Sequence, residues 1–259
     1  MFFKVNAYLA FLLKSFNQNS INSVFITDFI QHCLNKKKTT RKKTQQALNY
    51  KQQLLNNKKS INVTDFGAGS KVFISNTRSI SKIAKYAGIS NKRAFLLINL
   101  IDYLEPKNIL EIGTSLGIAT SALSTGDENS QIITLEGCPE TAKIAQQQFN
   151  KFNLKNINII IGNFNDTLPK VIENKTYDFI YFDGNHQKEA TLEYFNLCLA
   201  TINNNSVFIF DDIHWSEEME DAWEEIKTHP KVTTTIDTFQ WGIVFFKKEL
   251  EKQHLTIRV

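Results

Sequence analysis

Ile109-Leu110-Glu111-Ile112-Gly113-Thr114-Ser115-Leu116-Gly117-Ile118-Ala119-Thr120 is the stretch on which the fold turns. A short apolar run carries an acid, two glycines follow four positions apart, and small and apolar residues continue at helical spacing. The pattern predicts a buried strand, a tight turn and the first turn of a helix. Glycine lets the backbone approach a ligand closely, and a helix start offers unpaired N–H groups to a carboxylate or phosphate. The dinucleotide fingerprint is G-x-G-x-x-G, whereas the spacing here is E-x-G-x-x-x-G.

Downstream, strand and helix patterns alternate. Strands are expected over 108–112, 131–136, 157–161, 178–183 and 206–211, with helices over 117–124, 139–152, 165–173, 187–202 and 215–228. Continuous apolar runs such as Phe179-Ile180-Tyr181-Phe182 and Val207-Phe208-Ile209-Phe210 belong to a parallel sheet covered on both faces. Two β-rich segments, 232–237 and 240–246, have no helix between them and predict a hairpin at the sheet edge. The expected fold is α/β: a Rossmann-like, seven-stranded, mostly parallel sheet with helices on both faces.

Upstream of the key stretch, the patterns are helical. Val5, Tyr8, Leu9, Leu12, Leu13 and Phe16 follow amphipathic spacing, and 24–34 forms a second apolar segment. Lys36-Lys37-Lys38-Thr39-Thr40-Arg41-Lys42-Lys43 then leads into a polar helix reaching about Asn56. Asp65-Phe66-Gly67-Ala68-Gly69-Ser70 imitates a nucleotide loop, but no long helix and no acid-terminated strand follow it. It reads as a glycine-rich loop folded over the active site. Helical patterns return at 79–87 and 91–104 and are closed by Pro106. Residues 1–89 are therefore expected as a helical N-terminal cap with a basic segment, and residues 90–259 as the main domain.

The whole chain of 259 residues, 42% hydrophobic and 22% charged, is ordinary for a globular protein. Its three cysteines, Cys33, Cys138 and Cys198, are too few and scattered for a disulfide framework or a zinc site. The net charge of +4 is unevenly spread: residues 1–60 hold eleven Lys/Arg against one acid, a surplus of ten, which leaves −6 for the remainder. That split admits an anionic partner or a solvated surface. No stretch approaches the roughly 18 apolar residues of a membrane span, and no cleavage site follows Val5–Leu13, so a cytoplasmic location is expected.

In an open parallel sheet, ligands bind beyond the carboxyl ends of the strands. Strand two ends in Glu136, 25 positions after Glu111, where a carboxylate can take both hydroxyls of a ribose. Strand three ends in Gly162-Asn163-Phe164, an amide and an aromatic face suited to a base. Strand four ends in Asp183-Gly184-Asn185-His186, and strand five in Asp211-Asp212-Ile213-His214. Clustered carboxylates repel unless a cation or a proton compensates them, and such oxygen ligands suit Mg²⁺ or another hard divalent cation. Taken singly, Asp183 and Asp212 also read as helix caps.

Residues from about 90 to 246 resemble the class I S-adenosylmethionine (SAM) dependent O-methyltransferases, similar to the catechol, caffeoyl-CoA and sugar types. The resemblance implies that Glu111, Gly113, Thr114, Ser115 and Gly117 grip the methionine end of SAM. It places Glu136 on the ribose and Asn163 and Phe164 beside adenine. Asp183, Asp211 and Asp212 would bind the divalent ion, with His186 as base and His214 in reserve. The catechol type has asparagine where this chain has Asp212 and lysine where it has His186, which weakens the case for a catechol. The activity expected is methyl transfer to a hydroxyl of a small-molecule acceptor, with a homodimer as one use for the N-terminal region. Two alternatives stay open: an RNA methyltransferase gripping nucleic acid through the basic segment, and a non-catalytic SAM-fold binding protein.

Overall fold

The computed structural model describes residues 2–15, 23–35, 40–64, 66–67 and 75–259. The readings made on Phe16, on Lys36-Lys37-Lys38-Thr39, and on Asp65 and Ala68-Gly69-Ser70 lie outside the described residues. Helices α1 (Phe2–Lys14), α2 (Val24–Phe29, running into a π-helical turn Ile30–Asn35) and α3 (Arg41–Asn56) come first. Strands β1 (Ser60–Asn62) and β2 (Thr77–Ser79) pair antiparallel, followed by α4 (Ile80–Tyr86) and α5 (Asn91–Leu104). The alternating part consists of β3 (Asn108–Ile112), α6 (Ile118–Gly126), β4 (Gln131–Glu136), α7 (Pro139–Lys151), β5 (Ile157–Ile161) and α8 (Phe164–Ile172). It continues through β6 (Phe179–Phe182), α9 (Lys188–Cys198), β7 (Val207–Asp211) and α10 (Glu217–Thr228) to β8 (Thr234–Asp237), β9 (Trp241–Phe245) and β10 (Gln253–Thr256).

The main sheet runs β10-β8-β9-β7-β6-β3-β4-β5. Only β9 is antiparallel to its neighbours. Two expectations are corrected. The sheet has eight strands rather than seven, because β10 adds in parallel to β8 at the edge. The N-terminal region is not all helical, since β1 and β2 form a hairpin. Both missed elements are three or four residues long, and pairing with a partner strand holds them where local pattern does not.

Successive residues of the strands feed two cores. Ile109, Phe179, Tyr181, Val207, Ile209 and Phe245 face one side, and the same core contains Ile26 and Phe29 of α2 and Tyr50 and Leu54 of α3. Leu110, Ile112, Ile180, Phe182, Phe208 and Phe210 face the other side, against α8, α9 and α10. The N-terminal helices thus cover a sheet face that would otherwise meet water. Helix α1 buries Ala7 and Phe11, with Tyr8 and Phe11 packed on the Phe239 ring, while Val5, Leu9 and Leu13 stay exposed. Among the described residues no helix is long and apolar enough to cross a membrane.

Candidate active site

A cleft of about 330 Å³ lies at the carboxyl ends of β3, β4, β6 and β7. At one end, the turn after β3 is tied to the turn after β4. Gly113 N–H and Thr114 N–H both donate to the Leu135 carbonyl at 3.0 Å. Ser115 N–H donates to Glu136 Oε2 at 2.6 Å, while Glu136 Oε1 accepts from Cys138 N–H at 2.8 Å and from the Thr141 hydroxyl at 3.2 Å. Charged hydrogen bonds of this kind orient a carboxylate firmly. Gly113, with φ of +107°, passes so close to β6 that a Cβ there would stand 2.4 Å from the Asp183 carbonyl. Only glycine fits that approach.

Asn163 caps α8, and the Phe164 ring closes over Gly184 and meets Tyr194 edge-on at 6.0 Å. Both Asn163 and Phe164 line the cleft with Gly113, Ser115 and Glu136. The hairpin β1–β2 brings Val63, Thr64, Phe66, Gly67 and Arg78 to the same cleft. The Phe66 ring lies on Gly137, where a Cβ would stand 2.7 Å from it, and Thr64 N–H donates to Cys138 Sγ at 3.4 Å. The expectation that this glycine-rich segment folds over the active site agrees with the placement of Phe66 and Gly67.

The other end of the cleft holds Asp183, Asn185, His186, Asp211, Asp212 and Trp215. His186 Nε2 stands 3.7 Å from Asp183 Oδ1, with a quarter of its side chain exposed. Burial, and the Asp211 carboxylate beside it, push Asp183 well above the usual carboxylate range. Asp212, held at φ of +53°, is raised by burial and by Asp211, against the pull of His186, Arg93 and Lys4. Lys4 of α1 sits over the Trp215 ring at 3.4 Å, a cation–π contact that brings the N-terminal helix to the rim.

Asp211 itself is engaged. Arg93 Nη1, from α5, donates to Oδ1 at 2.7 Å and to Oδ2 at 3.0 Å, and Trp241 Nε1 donates to Oδ1 at 2.7 Å. Burial opposes the charge on Arg93, but Asp211, Tyr181, Asp183 and Asp212 together raise its pKa further. Among the described residues no group of three His, Cys, Asp or Glu side chains is arranged to hold a metal ion. The contacts of Asp211 carry the fit test: a guanidinium and an indole already take one of the three carboxylates, so the set Asp183, Asp211 and Asp212 as arranged does not fit the divalent ion that the resemblance implies.

Four other expected residues, Glu111, Thr114, Gly117 and His214, do not line the cleft. Glu111 is fully buried, with Thr120 and Thr134 hydroxyls donating to Oε2 at 2.5 Å each and Oε1 left without a partner. Burial pushes its pKa up to about 8. It braces the β3 turn from behind, as does Gly117, packed under Phe149 and the Tyr50 hydroxyl. The Thr114 side chain is buried as well, shared with Thr134 and the Leu135 carbonyl. His214 is 8% exposed, with Nε2 3.0 Å from Asp237, Nδ1 3.4 Å from Glu220, and its ring stacked on Phe239. Its contacts bind the β7–α10 turn to the edge hairpin.

Sequence reasoning missed Arg93 and Tyr194. Tyr194 donates to Asn165 Oδ1 at 3.0 Å and accepts from Asn185 Nδ2 at 3.3 Å. Arg93 carries no local motif. Its only signal is position, one turn into a helix that opens with the Ser90 cap.

Residues 110–213 match a family model described as "Methyltransferase domain". The fold resembles an SAH-bound methyltransferase from Podospora anserina, 15% identical, with a TM-score of 0.61 over 88% of this chain and 97% of that one. It also resembles an O-methyltransferase from Bacillus cereus in complex with SAH, 20% identical, TM-score 0.55, covering 86% and 97% of the two chains. A tRNA (guanine-N(7)-)-methyltransferase of Mycoplasma mobile is 35% identical over 72 residues, spanning 28% of this chain and about a third (35%) of that protein. Residues 110–213 thus match a methyltransferase domain, and the sheet around them has the fold of the SAH-bound methyltransferases.

Proposed function

We propose that the protein transfers the methyl group of SAM to a hydroxyl of a small molecule. The observation that carries the reading is one continuous cleft, with Glu136 at one end and the His186–Asp183 pair at the other. Its volume of about 330 Å³ is within the range of ligand pockets. The residues present fit SAM. When bound, SAM supplies a methyl group on a positively charged sulfur. Glu136 would take the ribose hydroxyls, Ser115 and the Gly113 turn would hold the methionine end, and Asn163 and Phe164 would flank adenine. His186, with its Nε2 turned toward Asp183, would receive the acceptor's proton on its other ring nitrogen, Nδ1, as the O–CH₃ bond forms and the S–CH₃ bond breaks.

Residues 1–89 act in this reading as a cap that completes the cleft through Phe66, Gly67 and Arg78. The test is calorimetry with SAH, followed by transfer of labelled methyl from SAM to a panel of hydroxylated small molecules. Micromolar SAH binding and labelled product support the reading. Absence of SAH binding overturns it.

The match to the tRNA methyltransferase supports a second reading, in which the acceptor is RNA. The described part of the basic segment argues against it. Lys42 and Lys43 line a different cavity with Gly126, Gln131 and Asn156, at the amino ends of the strands, and Lys43 is paired with Asp102. Strands of five or six residues, rising about 3.3 Å each, put that edge roughly 15–20 Å from the cleft. Affinity for RNA that falls steeply with salt would favour the RNA reading over the small-molecule one. The third reading, a binding protein without chemistry, loses ground to the His186–Asp183 pair inside the cleft.

A further inference from the structure

We infer that Arg93 is the resident cation of the acceptor end, holding the position against Asp211 that a divalent ion would need. Methyl transfer in this protein then runs without such an ion. The inference rests on the SAM reading for the identity of the site, but not for the contacts that carry it.

The geometry is specific. Arg93 Nη1 lies within 3.0 Å of both Asp211 oxygens, and Trp241 Nε1 donates to Oδ1 at 2.7 Å. The Asp211 side chain is 5% exposed and that of Arg93 20%. Mg²⁺ binds carboxylate oxygen at about 2.0–2.1 Å and demands near-octahedral geometry, so at Oδ1, where two donors already sit, it would have to displace one of them. It would also stand beside a guanidinium that cannot lose its charge. The pair is built in rather than adventitious: Ser90 Oγ accepts from Arg93 N–H at 3.2 Å and starts α5 at this point, while Trp241 is fixed in the β9 strand paired with β7. Arg93 reaches across 118 positions to the carboxyl end of β7.

The substitution of cations changes what the site selects. A divalent ion favours acceptors that chelate it through two adjacent oxygens. A guanidinium committed to Asp211 contributes positive charge without coordination, so a single hydroxyl presented to His186 suffices. Arg93 and Asp183 both line the cleft where that hydroxyl would sit.

The test uses the full chain stripped with a chelator. MnCl₂ titrated to about 1 mM should give no saturable binding by calorimetry and no rise in melting temperature. SAH affinity in the same preparation should change less than about twofold between chelator and added Mn²⁺. Arg93→Met removes the charge and keeps the stem, and should acquire a Mn²⁺-dependent rise in melting temperature that Arg93→Met/Asp211→Asn lacks. Saturable Mn²⁺ binding by the unmutated protein with a Kd below about 100 μM, lost in Asp211→Asn, overturns the inference. So does a folded Arg93→Met protein that gains no response to Mn²⁺. Should that variant fail to fold, the titration of the unmutated protein still decides. Failure to bind SAH, by contrast, would strike the cofactor reading and leave the Mn²⁺ result interpretable.

Discussion

The two acidic strand ends of the cleft, Glu136 on β4 and Asp211 on β7, are built in opposite ways. Glu136 is held by backbone N–H groups of Ser115 and Cys138 and by the Thr141 hydroxyl, all neutral donors from the turns beside it. Asp211 is held by a guanidinium and an indole from distant parts of the chain. The β4 acid is thus oriented by the turns next to it, and the β7 acid by a charge pair with α5 and an indole of β9.

The largest expected effect comes from unbalancing that charge pair. Asp211→Ala leaves Arg93 largely buried with its closest counter-charge removed, and should lower unfolding free energy by about 3–5 kcal/mol in urea titrations. SAH affinity of the folded fraction should hardly change. A variant as stable as the unmutated protein would show that the pair contributes nothing.

At the other end the effect should fall on binding instead. Glu136→Ala is expected to weaken SAH binding by roughly 1.5–3 kcal/mol, about 10- to 150-fold, measured by calorimetry. Equal affinities would break the comparison at its cofactor end.

Glu111 sharpens the contrast because it has neither a cation nor a full set of donors. Its pKa of about 8 in the folded chain lies above the ordinary 4.5 of an unfolded glutamate. A raised carboxyl pKa means that the folded state keeps a proton which the unfolded chain releases. Stability from this group is full below pH 4.5 and is lost as pH rises toward 8. The slope is about 1.4 kcal/mol per pH unit inside that window, so the unmutated protein should lose roughly 2 kcal/mol between pH 6 and 8. Glu111→Gln should show little of that decline in melts taken across the same range.

The smallest effect belongs to the opposite edge of the sheet. Lys43 pairs with the half-exposed Asp102, and Lys43→Ala should cost no more than about 1 kcal/mol and leave SAH binding intact. A strong effect on SAH binding would mean that the two edges of the sheet communicate.

Much of this was legible before any coordinates. Strands 108–112, 131–136 and 157–161 coincide with β3, β4 and β5, because continuous apolar runs bounded by turns leave few other choices. That Glu136, Asn163 and Phe164 would line a cleft was legible as well, because residues at or just beyond the end of a parallel strand reach the ligand side of the sheet. Arg93 was not, since α5 offers several charged positions and nothing local says which one a β7 carboxylate will meet. The eighth strand was hidden because four edge residues, Gln253–Thr256, acquire strand character only from β8.

The sequence by itself determined the alternation of strand and helix, the turn at Gly113 and the acids that end the strands, because periodicity and turn chemistry are properties of neighbouring residues. Tertiary structure alone decided what each acid does. Glu111, Glu136 and Asp211 are all carboxylates at or within strands, yet one is buried without a full set of partners, one is displayed and one is paired. That outcome depends on burial and on partners up to 118 positions away, and the free energy of a charge is set by those surroundings rather than by its place in the chain.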